Sequence, residues 1–177
     1  MTVQEIFINL TNHMLEGIMI HEQFISYYKF LGLDGYSKCH EKHFEMESKE
    51  YRKIYNYYIT TYNQLLPKNQ FPQPDIVPDS WIQYTRQDVD LKTRRQAIQQ
   101  GLDKWVKWER ETYKTYQEIY EQLCDIHEYN SAMQVKKLIK DVHEELCTIE
   151  QYQLNKIATN YDMVEIINEQ KNVDKEV

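Results

Sequence analysis

Apolar residues recur along this chain with the period of an α-helix over four long stretches. At about 100° per residue, Val3, Phe7, Leu10, Met14, Gly17, His21, Ile25 and Tyr28 share one face. They predict a first helix from about Val3 to Leu31. A second, from about Ser37 to Leu66, carries Tyr36, His40, His43, Glu47, Tyr51, Ile54, Tyr58 and Leu65, with Glu50 at the stripe's edge. The third runs from about Leu91 to Asp125 behind Asp90, a natural N-cap, with Ile98, Leu102, Trp105, Glu109, Tyr113, Tyr116, Tyr120 and Leu123 inward. The fourth, from about Ser131 to Val164, buries Val135, Ile139, Val142, Leu146, Ile149, Gln153 and Ile157, and Ser131 with Gln134 has capping-box spacing. Four amphipathic helices of similar length predict an all-α four-helix bundle over residues 1–164, with a polar tail over 165–177.

The breaks between these stretches constrain the topology. Gly32 to Gly35 and Asp125 to Asn130 are short, so each forces an antiparallel hairpin. The middle connection, about 67–90, holds Pro67, Pro72, Pro74 and Pro78 and room for a short helix at Trp81 to Tyr84. A second helix of about 30 residues is roughly 45 Å long. An extended link of about 24 residues reaches about 80 Å. The link can return along the whole length of the molecule, giving two hairpins joined by a long Pro-containing crossover.

Composition narrows the function classes. The charge of −7 leaves no broad basic face for nucleic acid or anionic lipid. Mean hydropathy is −0.77, and no apolar run approaches the ~18–20 residues of a membrane span. The opening Met1 to Glu5 lacks signal-peptide order, and Cys39, Cys124 and Cys147 form neither a CxxC nor a disulfide framework. These features predict a cytoplasmic protein with reduced thiols, Cys147 among them as a small buried hydrophobe. No Gly-rich phosphate loop, nucleophile elbow or zinc-protease helix motif occurs.

The chemistry lies in the ionisable residues on the apolar stripes. A carboxylate in a dry interior is costly unless it is paired, protonated or metal-bound. Counting outward from a turn centred near residue 34 puts His21 opposite Glu47. Counting from residues 127–129 puts Glu109 level with Glu145, Ile149 and Glu150, with His143 off the stripe. The segment Trp105-Val106-Lys107-Trp108-Glu109-Arg110-Glu111 and the run Glu47-Ser48-Lys49-Glu50 resemble segments of the ferritin-like diiron-carboxylate superfamily. That family carries a Glu on helices 1 and 3 and Glu-x-x-His on helices 2 and 4. Glu109 and Glu47 match in residue type. Glu50 stands where the family has His, and His21 or Glu22 occupies the first-helix slot. On the fourth helix, Val142 takes the Glu slot and Glu145 the His slot, and no intact Glu-x-x-His occurs.

The resemblance implies a ferritin-like arrangement with Fe or Mn in the core, reacting with oxygen or peroxide. Mixed imidazole and carboxylate donors suit those metals, and His21, His43, Glu47, Glu50, Glu109 and Glu145 are the candidate ligands. The alternative is a ferritin-like scaffold with a decayed metal site. It would act through a homodimer or a protein partner, using aromatics such as Trp81, Tyr84 and Tyr129.

Overall fold

The computed structural model describes residues 1–67, 73–78 and 85–169. The described residues are all-helical, with no strand. Four long helices, α1 (Val3–Phe30), α2 (Asp34–Tyr62), α3 (Leu91–Asp125) and α4 (Tyr129–Ala158), are followed by a short α5 (Met163–Glu169). A 3-10 turn (Arg86–Asp88) precedes α3. The expected short helix at Trp81 to Tyr84, and the tail beyond Glu169, lie outside the described residues. Among the described residues, no helix is long and apolar enough to cross a membrane.

Local chemistry sets the helix ends. Thr2 and Glu5 form a reciprocal capping box at the start of α1, and the Asp90 side chain accepts from the Thr93 amide at the start of α3. Helix α2 begins earlier than its pattern suggested. Only Gly32 adopts a left-handed conformation (φ 73°), and Asp34 and Gly35 are already helical. It also stops earlier, at Asn63 (φ 52°), so that Leu66 is buried and Leu65 is 71% exposed. Helix α4 starts behind Glu128 with no side-chain cap. Ser131 is buried instead, within 2.6 Å of the Tyr62 hydroxyl. After Ala158 the chain turns through Asn160 and Tyr161, both at positive φ, so Ile157 faces water and a separate α5 forms.

The packing partners run in opposite numerical order along each neighbouring pair. Ser37 donates to the Ile25 carbonyl, while Phe7 lies 5.0 Å from Tyr58, making α1 and α2 antiparallel. Asp103 accepts from Gln153, and Tyr113 meets His143, so α3 and α4 are antiparallel as well. Tyr27 donates to the Ala97 carbonyl and His13 meets Thr112, setting α1 against α3 in opposite senses. Contacts of Tyr36 with Tyr152 and of Tyr62 with Ser131 do the same for α2 and α4. Helices α1 and α4 therefore point one way, and α2 and α3 the other.

The core has two apolar regions. One holds Phe7, Leu10, Met14, Ile54, Tyr58, Leu123 and Val135. The other holds Phe24, Tyr28, Tyr36, Ile98, Leu102, Trp105 and Ile149, with Ile166 of α5 closing it. At one point α1 and α3 approach closely. A Cβ added to Gly101 would come within 2.3 Å of the Tyr28 hydroxyl. Trp108 is buried, and Cys147 is exposed rather than buried.

Candidate metal centre

The polar residues of the stripes meet between the two apolar regions, each contributed by a different turn of a long helix. Helix α1 supplies His21, which is fully buried. Helix α2 supplies His40, His43 and Glu47. Spacings of three and four residues place these three on one face. Helix α3 supplies Glu109, 1% exposed, and α4 supplies Glu145.

His21 Nε2 lies 3.3 Å from Glu47 Oε1 and 4.0 Å from Glu109 Oε1. His43 Nδ1 lies 2.8 Å from Glu145 Oε1. Trp105 Nε1 donates to Glu109 Oε1 at 3.2 Å. Two sets of donors result, His21 with Glu47 and Glu109, and His21 with His43 and Glu145, each with its ligand atoms within 4.8 Å of one another. The sets share His21, so four donors from the other three helices crowd around its ring.

These contacts are close without being hydrogen bonds. His21 Nε2, His43 Nδ1, Glu47 Oε2 and Glu145 Oε1 are all buried without a well-aligned hydrogen bond, although His43 and Glu145 still attract each other as an ion pair. Leaving such atoms unmatched costs about 1–3 kcal/mol each. Two ligands held at about 2.1 Å on one ion stand about 3.0 Å apart at a right angle and about 3.4 Å apart in a tetrahedron. The 2.8 and 3.3 Å separations fall near that range. Atoms that approach this closely but point past one another leave a place where a common partner could sit.

The electrostatics agree. Burial, and then the neighbouring Glu145 and Glu47 carboxylates, push the Glu109 carboxyl well above the usual range. Burial works against a charged His43 ring, yet the Cys39 side chain and the Glu145 carboxylate outweigh it and bring its pKa up to about 11. Full burial, with His21 and His43 nearby, lowers the His40 pKa. Three acids at one depth in a dry interior need positive charge, which protons or a cation can supply.

Five of the six sequence candidates, His21, His43, Glu47, Glu109 and Glu145, come together here. Glu50 stands apart from both donor sets. It lines a small neighbouring cavity of about 20 Å³, room for about one water, beside Gly17, Thr112, Tyr116 and Asp141. Burial, and then Asp141 and Glu47, bring its pKa up to about 7. Glu22 is exposed, so His21 fills the first-helix position. His143 packs on Tyr113 at the surface, and Glu150 accepts from Arg110 at 2.7 Å. Two features escaped the sequence reading. One is the meeting of His43 on α2 with Glu145 on α4, at 2.8 Å. The other is His40 as a direct partner of His21, with the two Nδ1 atoms 2.8 Å apart. No family model matches the chain, and no curated protein matches it.

Proposed function

We propose that this chain is a ferritin-like four-helix-bundle protein that holds Fe or Mn between its two hairpins for redox chemistry with oxygen or peroxide. The antiparallel pairs, with α1 parallel to α4 and α2 parallel to α3, support the ferritin-like arrangement, since a crossover must return the chain between α2 and α3. One observation carries the metal reading: five imidazole and carboxylate donors from four helices converge in the dry interior with key atoms unmatched by hydrogen bonds. That donor set suits Fe or Mn, and such a metal supplies one-electron and oxygen chemistry when bound.

The chain's own residues shape what reaches the centre. With a cation in place of their protons, Glu47, Glu109 and Glu145 would supply carboxylate oxygens, and His21 and His43 imidazole nitrogens. The adjoining cavity, lined by Trp108, Thr112 and Tyr116, has room for a water-sized molecule and excludes larger organic substrates. Glu50 at its edge, with a pKa near 7, can hold or release a proton around neutrality.

The test is metal analysis of the purified protein after loading with Fe(II) or Mn(II). Stoichiometric uptake by the wild type, lost in the Glu47→Ala, Glu109→Ala double variant at unchanged helical content, supports the reading. Absence of uptake by the wild type, together with equal or higher thermal stability of the double variant, rejects it in favour of a non-catalytic scaffold.

A further inference from the structure

His40 belongs to neither donor set, yet it is fully buried and touches the one residue that both sets share. Its Nδ1 lies 2.8 Å from His21 Nδ1. Two imidazole nitrogens at that distance share one proton: one ring donates and the other accepts. A cation on the far side of His21 decides which, and the surroundings of His40 hold that ring in place. Phe24 and Tyr28 stack on it nearly parallel, at 16° and 12°, with ring centres 4.5 and 5.4 Å away, and Trp105 lies across it at 4.3 Å. Its Nε2 is buried with no hydrogen-bond partner. A cation on His21 Nε2 needs that nitrogen's lone pair, so His21 then keeps its proton on Nδ1 and His40 accepts at Nδ1, with its own proton on Nε2. His21 must then donate from Nδ1, and its Nε2 is left as a bare lone pair facing Glu47 and Glu109 at 3.3 and 4.0 Å.

We infer that His40 is a positioning residue, which locks His21 in the Nδ1–H tautomer and aims its Nε2 lone pair, with the Glu47 and Glu109 carboxylates, at a bound cation. A lone pair facing two acids is unfavourable by itself and becomes favourable when a cation lies between them. A ligand histidine commonly uses its second nitrogen to hold an outer partner that fixes its tautomer. Here that partner is another histidine, clamped by an aromatic box rather than by a carboxylate. The inference rests on the metal reading above.

The test compares His40→Phe, which keeps an aromatic ring in the box and removes the acceptor, with His40→Asn, which retains an acceptor close to the place of Nδ1. Mn²⁺ affinity is measured by chelator competition beside thermal melting of the metal-free proteins. The Phe variant should melt no lower than the wild type and bind Mn²⁺ about 10–100-fold more weakly. The Asn variant should recover most of that loss. Nitrogen NMR of the wild type loaded with diamagnetic Zn²⁺ should show the His21 proton on Nδ1. Affinity of the folded Phe variant within about twofold of wild type, no recovery by Asn, or a His21 proton on Nε2 in the loaded protein would each overturn the inference. If the wild type takes up neither Mn²⁺ nor Zn²⁺, the metal reading itself fails; uptake that the Phe variant leaves unchanged overturns this inference alone.

Discussion

Lys156 on α4 and Glu109 on α3 are closed to water to the same degree, at 2% and 1% exposure. Their surroundings differ. The Lys156 ammonium reaches Glu165 at 3.3 Å and also contacts Glu169, both on α5, and lies over the Tyr152 ring. Its charge is answered within the chain, and it fastens the last helix to the rest. Glu109 has one donor, Trp105, and otherwise faces two more carboxylates and imidazoles whose atoms point past one another. A closed ion cluster is a structural clasp. An open one, drawing on four helices, leaves room for the cation proposed above. Burial alone does not separate these roles; the satisfaction of each polar atom does.

Four experiments can break or sharpen that contrast. The largest effect on stability is expected from Lys156→Ala, which strips a fully buried stem and both ion pairs. Chemical denaturation should show a loss of about 3 kcal/mol that added metal does not change in size. Next is acid. Burial lowers the His13 pKa from 6.5 to about 4, so the ring is neutral in the fold and charges first in the unfolded chain. Its contribution is complete above pH 6.5 and is lost as the pH falls toward 4. His13→Phe, which keeps the stacking on Trp108, should lose about 2 kcal/mol less than wild type across that interval. A smaller stability effect, below about 1 kcal/mol, is expected for metal-free Glu109→Gln, because a carboxyl that burial already holds neutral is replaced by a neutral amide. The same variant should bind Mn²⁺ more than about tenfold more weakly; equal affinity would place Glu109 with the clasps. Smallest is Gly17→Ala. The new Cβ would stand 3.1 Å from Glu47 Oε2 and 3.3 Å from the Trp108 ring. The carboxylate can swing aside, so stability should shift by only about 0.5 kcal/mol. Metal affinity should nevertheless fall several-fold, read by the same chelator competition.

Much of this arrangement is legible before any coordinates. Helix α3 begins and ends where its pattern says because Asp90 carries a capping side chain at one end. Helix α2 hid its start because Leu33 caps it with no side-chain bond, and a Gly-containing segment that is partly helical reads as a longer break. Helix α5 fully buries Ile166 and packs Met163 beside it, too short a pattern for periodicity to register. Counting outward from the first turn pairs His21 with Glu47, because a tight hairpin fixes the depth of both arms. The meeting of His43 with Glu145 depends on how one hairpin seats on the other, which no local signal encodes. His40 was visible as a residue but not as a partner, since its role depends on which of its nitrogens meets His21.

Only Leu31, Gly32 and Leu33 separate α1 from α2. Leu31 and Leu33 are both buried, so this link has no slack to give. Sliding one helix past the other by a single residue moves every side chain about 1.5 Å along the axis. Metal ligands tolerate about 0.2 Å. The turn thus acts as a gauge block for the hairpin: lengthening it by even one residue would leave both helices intact and spoil the fit between them.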